Sequence, residues 1–211
     1  MSGEQQTVEQ PQIYLITPEA FELSRFSETL ARCLDTVPVA CVRLALATTD
    51  EDEISRAADA LRMLTHARDV ALVIERHVAL VERLGLDGVH LTDAARSVAK
   101  MRKVLGQDFI VGTHCAASRH DGMTAAETGA DYVSFGPATA SLLGDGSVAE
   151  YDLFAWWSEM IEVPVVAEGG LTEDMLHRLS PVVDFFGIGA ELWRTDAPAS
   201  TLRTFAVELA L

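Results

Sequence analysis

Short apolar runs alternate with amphipathic segments along most of the chain. Eight of these runs are rich in β-branched or aromatic residues, a composition that favours strands. They are QIYLI (12–16), ACVRLAL (40–46), VALVI (70–74), DGVHL (87–91), FIVG (109–112), DYVSF (131–135), PVVA (164–167) and VDFFGIG (183–189). Because longer helix-period segments separate these runs, the pattern predicts a regular alternation of strand and helix.

Two of the intervening segments show the spacing of an amphipathic helix. In the first, Asp50 and Glu53 have capping-box spacing at the start, and the apolar face consists of Ile54, Ala57, Ala58, Leu61 and Leu64. In the second, YDLFAWWSEMIE (151–162), the apolar positions are Leu153, Phe154, Trp157, Met160 and Ile161. We expect both faces to pack against the sheet.

Eight strands, each followed by a helix, predict an α/β fold of one domain, a (β/α)8 TIM barrel over residues 12–211. A doubly wound open sheet is the alternative. Residues 1–11 are polar and predict a flexible N-terminal tail. In a barrel, the loops after the carboxyl ends of the strands form the active face. The residues at the strand exits are therefore the candidates for function.

Charge and composition exclude several classes of protein. The chain has 16 basic and 32 acidic residues, so its net charge of −16 disfavours a nucleic-acid or anionic-membrane partner. No apolar run is long enough to span a bilayer, and the N-terminus lacks the order of a signal peptide. Cys33, Cys41 and Cys115 lack metal-ligand spacing, which indicates reduced thiols and a cytoplasmic location. Both lysines, Lys100 and Lys103, lie in one predicted surface helix, which disfavours Schiff-base chemistry.

Three motifs carry a resemblance to a known family. They are LGLDGVHL (84–91), TGADYVSFGPA (128–138) and PVVAEGGL (164–171). From residue 13 to residue 192 the sequence resembles the thiamine phosphate synthase family and its thiazole tautomerase branch. The resemblance implies a (β/α)8 barrel. It also implies the family's reaction, in which a hydroxymethylpyrimidine diphosphate is joined to a thiazole phosphate and pyrophosphate leaves with the help of magnesium.

The diphosphate half of the family's site is altered in this sequence. Where the family has Gln-x-Arg-x-Lys after the second strand, this chain has Arg43, Ala45 and Ala47. The two magnesium-ligand positions carry Arg76 and Ala95. A departing diphosphate needs a metal or cations. We therefore expect no cofactor, no metal site, and a magnesium-dependent synthase activity that is lost or altered.

The phosphate half of the site is retained. The resemblance implies that glycine turns after strands seven and eight bind the thiazole phosphate through backbone N–H groups. The residues expected to bind phosphate or substrate are Gly136, Ser141, Gly169, Gly170, Gly189 and Ala190, with Arg43 and Arg76 as cations. Backbone donors of this kind bind anions without a basic side chain. The alternative is that the glycines only permit tight turns.

His114 and Glu168 are the candidate catalytic residues. Glu168 directly precedes Gly169 and can enter the barrel, point away from it, or pair with Arg43 or Arg76. His114 stands where the synthases have a serine, whereas the histidine of the tautomerase branch falls at Ala116. Cys115 beside it is expected to be a semi-buried thiol rather than a nucleophile, and His90 an interior hydrogen-bonded histidine.

Three functions remain open at this point. The first is a synthase-like protein of thiamine biosynthesis that binds a thiazole-phosphate-like ligand. The second is a non-catalytic, phosphate-binding or regulatory barrel. The third is a thiazole tautomerase-like isomerase. In each case the expected partner is a small phosphorylated molecule, and a homo-oligomer is left open.

Overall fold

The eight predicted strands form a closed parallel barrel. The computed structural model describes residues 10–139 and 148–211, and in it each strand pairs with the next, with the last strand pairing with the first. The strands are β1 Gln12–Ile16, β2 Cys41–Leu44, β3 Ala71–Glu75, β4 Gly88–Leu91, β5 Ile110–His114, β6 Tyr132–Phe135, β7 Val165–Glu168 and β8 Phe185–Ile188. The predicted TIM barrel is confirmed, and the alternative of an open sheet is wrong.

Helices follow the strands and cover the outside of the barrel. They are α1 Leu23–Leu34, α2 Glu51–His66, α3 Ala79–Leu84, α4 Val98–Leu105, α5 Arg119–Glu127, α6 Tyr151–Met160, α7 Glu173–Leu179, α8 Ala190–Trp193 and α9 Pro198–Glu208. Among the described residues, no helix combines the length and apolar character needed to cross a membrane. The predicted tail (1–11) lies almost wholly outside the described residues, so it stays a prediction.

The predicted helix faces form the layer between the helices and the barrel. Ile54, Ala57, Ala58 and Leu61 of α2 are buried, and Asp50 caps this helix by accepting from the N–H groups of Asp52 and Glu53. Leu153, Phe154 and Trp157 of α6 are buried as well. The prediction for Met160 is wrong, because its side chain is 63% exposed where α6 ends.

Three aspartates fasten neighbouring strands at the amino end of the barrel. Asp87, Asp131 and Asp184 directly precede β4, β6 and β8. The Oδ2 atom of each accepts a hydrogen bond from an N–H in the strand before: Leu72 at 2.6 Å, Val111 at 2.7 Å and Val165 at 2.7 Å, respectively. These side-chain bonds lie at the end opposite the strand exits, so they stabilise the barrel without occupying its active face.

We predict that Asp184→Ala destabilises the protein by about 1–3 kcal/mol, because the N–H of Val165 loses its acceptor in a buried position. Urea denaturation measures this loss. Asp108→Ala removes an exposed aspartate elsewhere on the chain and should change the free energy of unfolding by less than about 0.5 kcal/mol. Equal midpoints for the two variants would contradict the prediction.

Candidate active site at the barrel mouth

A buried ion pair lies at the centre of the barrel mouth. Arg43 of β2 is only 6% exposed. Its Nη1 and Nη2 atoms donate to Oε2 and Oε1 of Glu168 at 3.0 and 3.2 Å. The Glu168 side chain therefore combines two of the three predicted orientations: it enters the barrel and pairs with Arg43. Bidentate pairing fixes the plane of both groups.

His90 supports the ion pair from below. Its Nε2 lies 2.6 Å from Nη1 of Arg43, and its Nδ1 lies 2.8 Å from the hydroxyl of Tyr132. Since a guanidinium can only donate, Nε2 accepts and Nδ1 carries the proton. Burial, followed by the nearby Arg43 charge, holds the pKa of His90 well below its usual value. His90 is therefore a neutral interior histidine, as the sequence predicts.

The charges alternate across the mouth. Burial would raise the pKa of Glu168, but the Arg43 guanidinium, with help from His114 and Ser134, holds it below the usual value. On the other side of Arg43, its Nε lies 3.8 Å from Oε2 of Glu75, and Glu75 in turn pairs with Nη2 of Arg76 at 2.9 Å. Arg76 thus pairs with Glu75, and the structure does not bring it to Glu168.

His114, the last residue of β5, lies beside the ion pair. Its Nδ1 is 3.3 Å from Oε1 of Glu168 and 3.0 Å from Oγ of Ser134. A proton on Nδ1 can be donated to either of these acceptors, and the side chain is 29% exposed. A histidine oriented by a carboxylate in this way can take or give a proton at the mouth. The two candidate catalytic residues are therefore brought together.

Cys115 does not contribute a nucleophile to this group. The residue is 1% exposed, and burial raises the pKa of its thiol to about 12. Only the thiolate is reactive. Cys115 is therefore not a nucleophile, as expected, but it is fully buried and not semi-buried as predicted.

The glycine turns lie at the exits of β7 and β8. Gly169 and Gly170 have φ angles of +83° and +74°, a region that favours glycine. A Cβ on Gly170 would lie 2.0 Å from Oγ1 of Thr139. Among the described residues, no backbone carbonyl accepts a hydrogen bond from the N–H groups of Gly170, Leu171 or Ala190. We call the backbone N–H groups of residues 169–171 and 189–190 the anion cradle, because N–H groups that no backbone carbonyl accepts can bind anions.

Gly136, one of the predicted ligand residues, does not join the cradle. The N–H of Gly136 donates to the carbonyl of Ala116 at 3.1 Å, and a Cβ at Gly136 would lie 2.4 Å from the carbonyl oxygen of Glu168. Gly136 therefore lets the exits of β6 and β7 approach each other and has no N–H to offer a ligand. Ser141 lies outside the described residues.

A cavity of about 660 Å³ connects the part of the cradle after β8, Gly189 and Ala190, with the arginines. The predicted site residues among those that line it are Arg43, Arg76, Gly189 and Ala190, and Ala45 and Ala47 form part of its wall. His114 and Glu168 do not line this cavity, so they lie beside it, deeper in the mouth. A ligand of moderate size can reach both the N–H donors and Arg76 in this space.

The residues at the exits of β3 and β4 do not fit a magnesium site. Magnesium prefers carboxylate oxygens in octahedral geometry. Glu75 is already paired with Arg76, and Oδ2 of Asp93 accepts from Ser97 at 2.6 Å. Arg76 lines the same small cavity as Asp93, which puts a cation where the metal would lie. Across the described ranges, no three His, Cys, Asp or Glu side chains are grouped as ligands.

Two further residues of this group, Tyr132 and Ser134, were not among the predicted site residues. Both are buried polar residues of β6, two positions apart, so they point to the same side of the strand. Their alternation with Val133 and Phe135 in YVSF was the available signal. It shows that one face of β6 is polar, and in a barrel whose outer face packs on helices the polar face points inward.

Comparisons with known proteins give a consistent result. The family described as thiamine monophosphate synthase matches residues 13–186. The thiamine-phosphate synthase of Rhodospirillum centenum is 40% identical over 92% of this chain and 95% of its own length. That of Erythrobacter litoralis is 36% identical over 94% and 95%. The solved structure of a thiamine phosphate pyrophosphorylase from Pyrococcus furiosus has a TM-score of 0.83 at 20% identity, covering 94% of this chain and 95% of that one, which supports the fold.

We predict that Arg43→Met costs about 3–5 kcal/mol of stability, because it leaves the Glu168 carboxylate buried without its partner. The double variant Arg43→Met/Glu168→Leu should recover most of that loss. Urea denaturation of the single and double variants forms the cycle. Arg76→Met is the matched control, since its side chain is 56% exposed and its pair is worth about 1 kcal/mol or less.

The cost of Arg43→Met should depend on pH. Glu168 has a pKa in the folded state below its unfolded value, so its pairing contributes stability above the unfolded pKa. This contribution is lost as the pH falls through the folded pKa. The difference between wild type and Arg43→Met should therefore shrink in acid. A difference that is constant from neutral pH to acid would show that the pair does not stabilise the fold through its charges.

Proposed function

The chain belongs to the thiamine monophosphate synthase family, and we propose that it is a synthase-like protein of thiamine biosynthesis that binds a thiazole-phosphate-like ligand. The observation that carries the proposal is the anion cradle, whose turn after β8 lines one cavity together with Arg76. We further propose that the magnesium-dependent diphosphate chemistry is lost or altered. The substitutions at Ala45, Ala47, Arg76 and Ala95 support this part.

The cradle supplies the main attraction for a phosphate. Arg43 is neutralised by Glu168, so it adds little net charge for a ligand. Arg76 is more than half exposed and shares Glu75 only at its Nη2 atom, which leaves other donors for an anion. Backbone N–H groups together with one arginine can bind a phosphate on a chain whose net charge is −16.

Proton transfer is the chemistry that the side chains at the mouth can support. His114 has a carboxylate and a hydroxyl at Nδ1 and is partly exposed, an arrangement typical of a general acid or base. Glu168 is held by Arg43, so the histidine is oriented by a fixed group. An acid–base step on a bound thiazole ring is therefore the reaction we propose, and it includes the tautomerase-like isomerisation.

The second candidate is the synthase reaction itself. It is favoured by the curated relatives named thiamine-phosphate synthase, one of which is 40% identical over 92% of this chain. Ala45 and Ala47 stand where the family has cationic residues. Arg76 and Arg194 both line the cavity, so in this candidate they would neutralise the diphosphate instead. The third candidate is a non-catalytic barrel, which would bind the ligand without converting it.

We predict that Gly170→Ala weakens thiazole phosphate binding by about tenfold or more, because the methyl group would collide with Thr139 and the turn that presents the N–H donors would shift. Calorimetric titration measures the affinity. Gly106→Ala is the matched control: its φ angle is +80°, but its Cβ would meet no atom and it lies far from the cradle. Equal weakening in both variants, or in neither, would contradict the role of Gly170.

We also predict no magnesium-dependent pyrophosphate release from the pyrimidine diphosphate and thiazole phosphate. If an acid–base turnover of the thiazole ligand is found, His114→Ala should lower its rate by about 10²–10⁴-fold with little change in ligand affinity. Pyrophosphate release that needs magnesium would support the second candidate instead. Binding without any turnover would support the non-catalytic barrel.

A further inference from the structure

Glu191 lies directly beside the anion cradle. It is the second residue of α8, immediately after the Gly189–Ala190 turn, and its side chain is partly buried. A Cβ placed on Gly189 would lie 3.9 Å from Oε2 of Glu191. The carboxylate therefore folds back over the turn that precedes it.

The carboxylate is close to N–H groups of both turns. The N–H groups of Glu191, Gly189 and Leu171 all favour its charged form, and Leu171 belongs to the turn after β7. The Oε1 atom of Glu191 is buried and has no hydrogen-bond partner among the described residues. Glu191 thus brings an incompletely bonded anion into the space between the two turns, where phosphate oxygens would otherwise lie.

The surroundings do not favour two anions in that space. Burial, the largest influence, and the nearby Glu168 charge, a smaller one, raise the pKa of Glu191 above its usual value. A phosphate that entered while the carboxylate stayed in place would compete for the same donors and would be repelled at short range. The adjoining cavity, lined by Gly189 and Ala190, leaves room for the side chain to move.

We propose that Glu191 is a specificity-determining residue, an internal competitor that a ligand phosphate must displace from the anion cradle. This inference rests on the proposed function, because it takes the cradle as the phosphate site. It deepens that proposal in one respect: the ligand must supply enough contact elsewhere in the cavity to displace the carboxylate. Free inorganic phosphate, which makes no such contact, is bound weakly.

The test is a titration of inorganic phosphate into wild type, Glu191→Gln and Glu191→Ala. Both variants remove the competing charge, so the dissociation constant should fall by about tenfold or more, the size of effect expected for charge-assisted hydrogen bonds. Glu191→Gln keeps the shape of the side chain and decides the result if Glu191→Ala does not fold. Far-ultraviolet circular dichroism checks folding.

Glu173→Gln is the control variant. Glu173 is an exposed residue in the first turn of α7, close to the turn after β7, and its loss removes the same charge outside the cradle. Its dissociation constant for phosphate should match that of wild type. Equal affinity in all four proteins, equal tightening in the control, or no phosphate binding by any of them would each overturn the inference.

Failure of this inference can be told apart from failure of the proposed function. If wild type binds thiazole phosphate and Gly170→Ala weakens that binding, the cradle is the phosphate site whatever Glu191 does. If the Glu191 variants then bind inorganic phosphate no better than wild type, only the competitor role is lost. A wild type that does not bind thiazole phosphate removes the proposed function first.

Discussion

The side chains at the mouth of this barrel depend on one constraint, the burial of the Arg43 guanidinium. A buried cation is tolerated only when it is paired and hydrogen bonded. Glu168 supplies the charge, and His90 supplies an acceptor. To accept from Arg43, His90 must be neutral and carry its proton on Nδ1. Nδ1 therefore donates its hydrogen bond to the hydroxyl of Tyr132. Glu168, once fixed, orients His114.

The same constraint explains how the proposed phosphate site and an altered charge pattern coexist. The charge of Arg43 is balanced inside the protein by Glu168. This carboxylate precedes Gly169 and points into the barrel toward Arg43. The negative charge of Glu168 is therefore directed at Arg43 and not at the glycine turn after β7. The negative charge that does affect the cradle is Glu191, which follows the other turn. Two carboxylates near one phosphate site thus have different roles because only one of them has a cationic partner.

Most of the fold could be predicted from the sequence, since β-rich runs and helical spacing are local properties. All eight strands were located to within a few residues. The candidate site was predicted less completely. His114, Glu168 and Arg43 follow from their places at strand exits, but the partner of each arginine depends on side-chain reach across strands distant in sequence. Glu191 was missed for the same reason: its importance arises only when the turns after β7 and β8 come together.

The aspartates at the amino end give the barrel an uneven resistance to local opening. An aspartate side chain accepts a hydrogen bond from the neighbouring strand in the pairs β3–β4, β5–β6 and β7–β8. The residue before β2 is Ala40, which has no carboxylate. Its N–H donates to the carbonyl of Ile13 at 2.9 Å, a main-chain bond. The β1–β2 pair, which lacks such an aspartate bond, contributes Ile16, Arg43 and Ala45 to the cavity wall. Local opening between β1 and β2 would therefore change the width of the ligand cavity without breaking any of the three aspartate bonds.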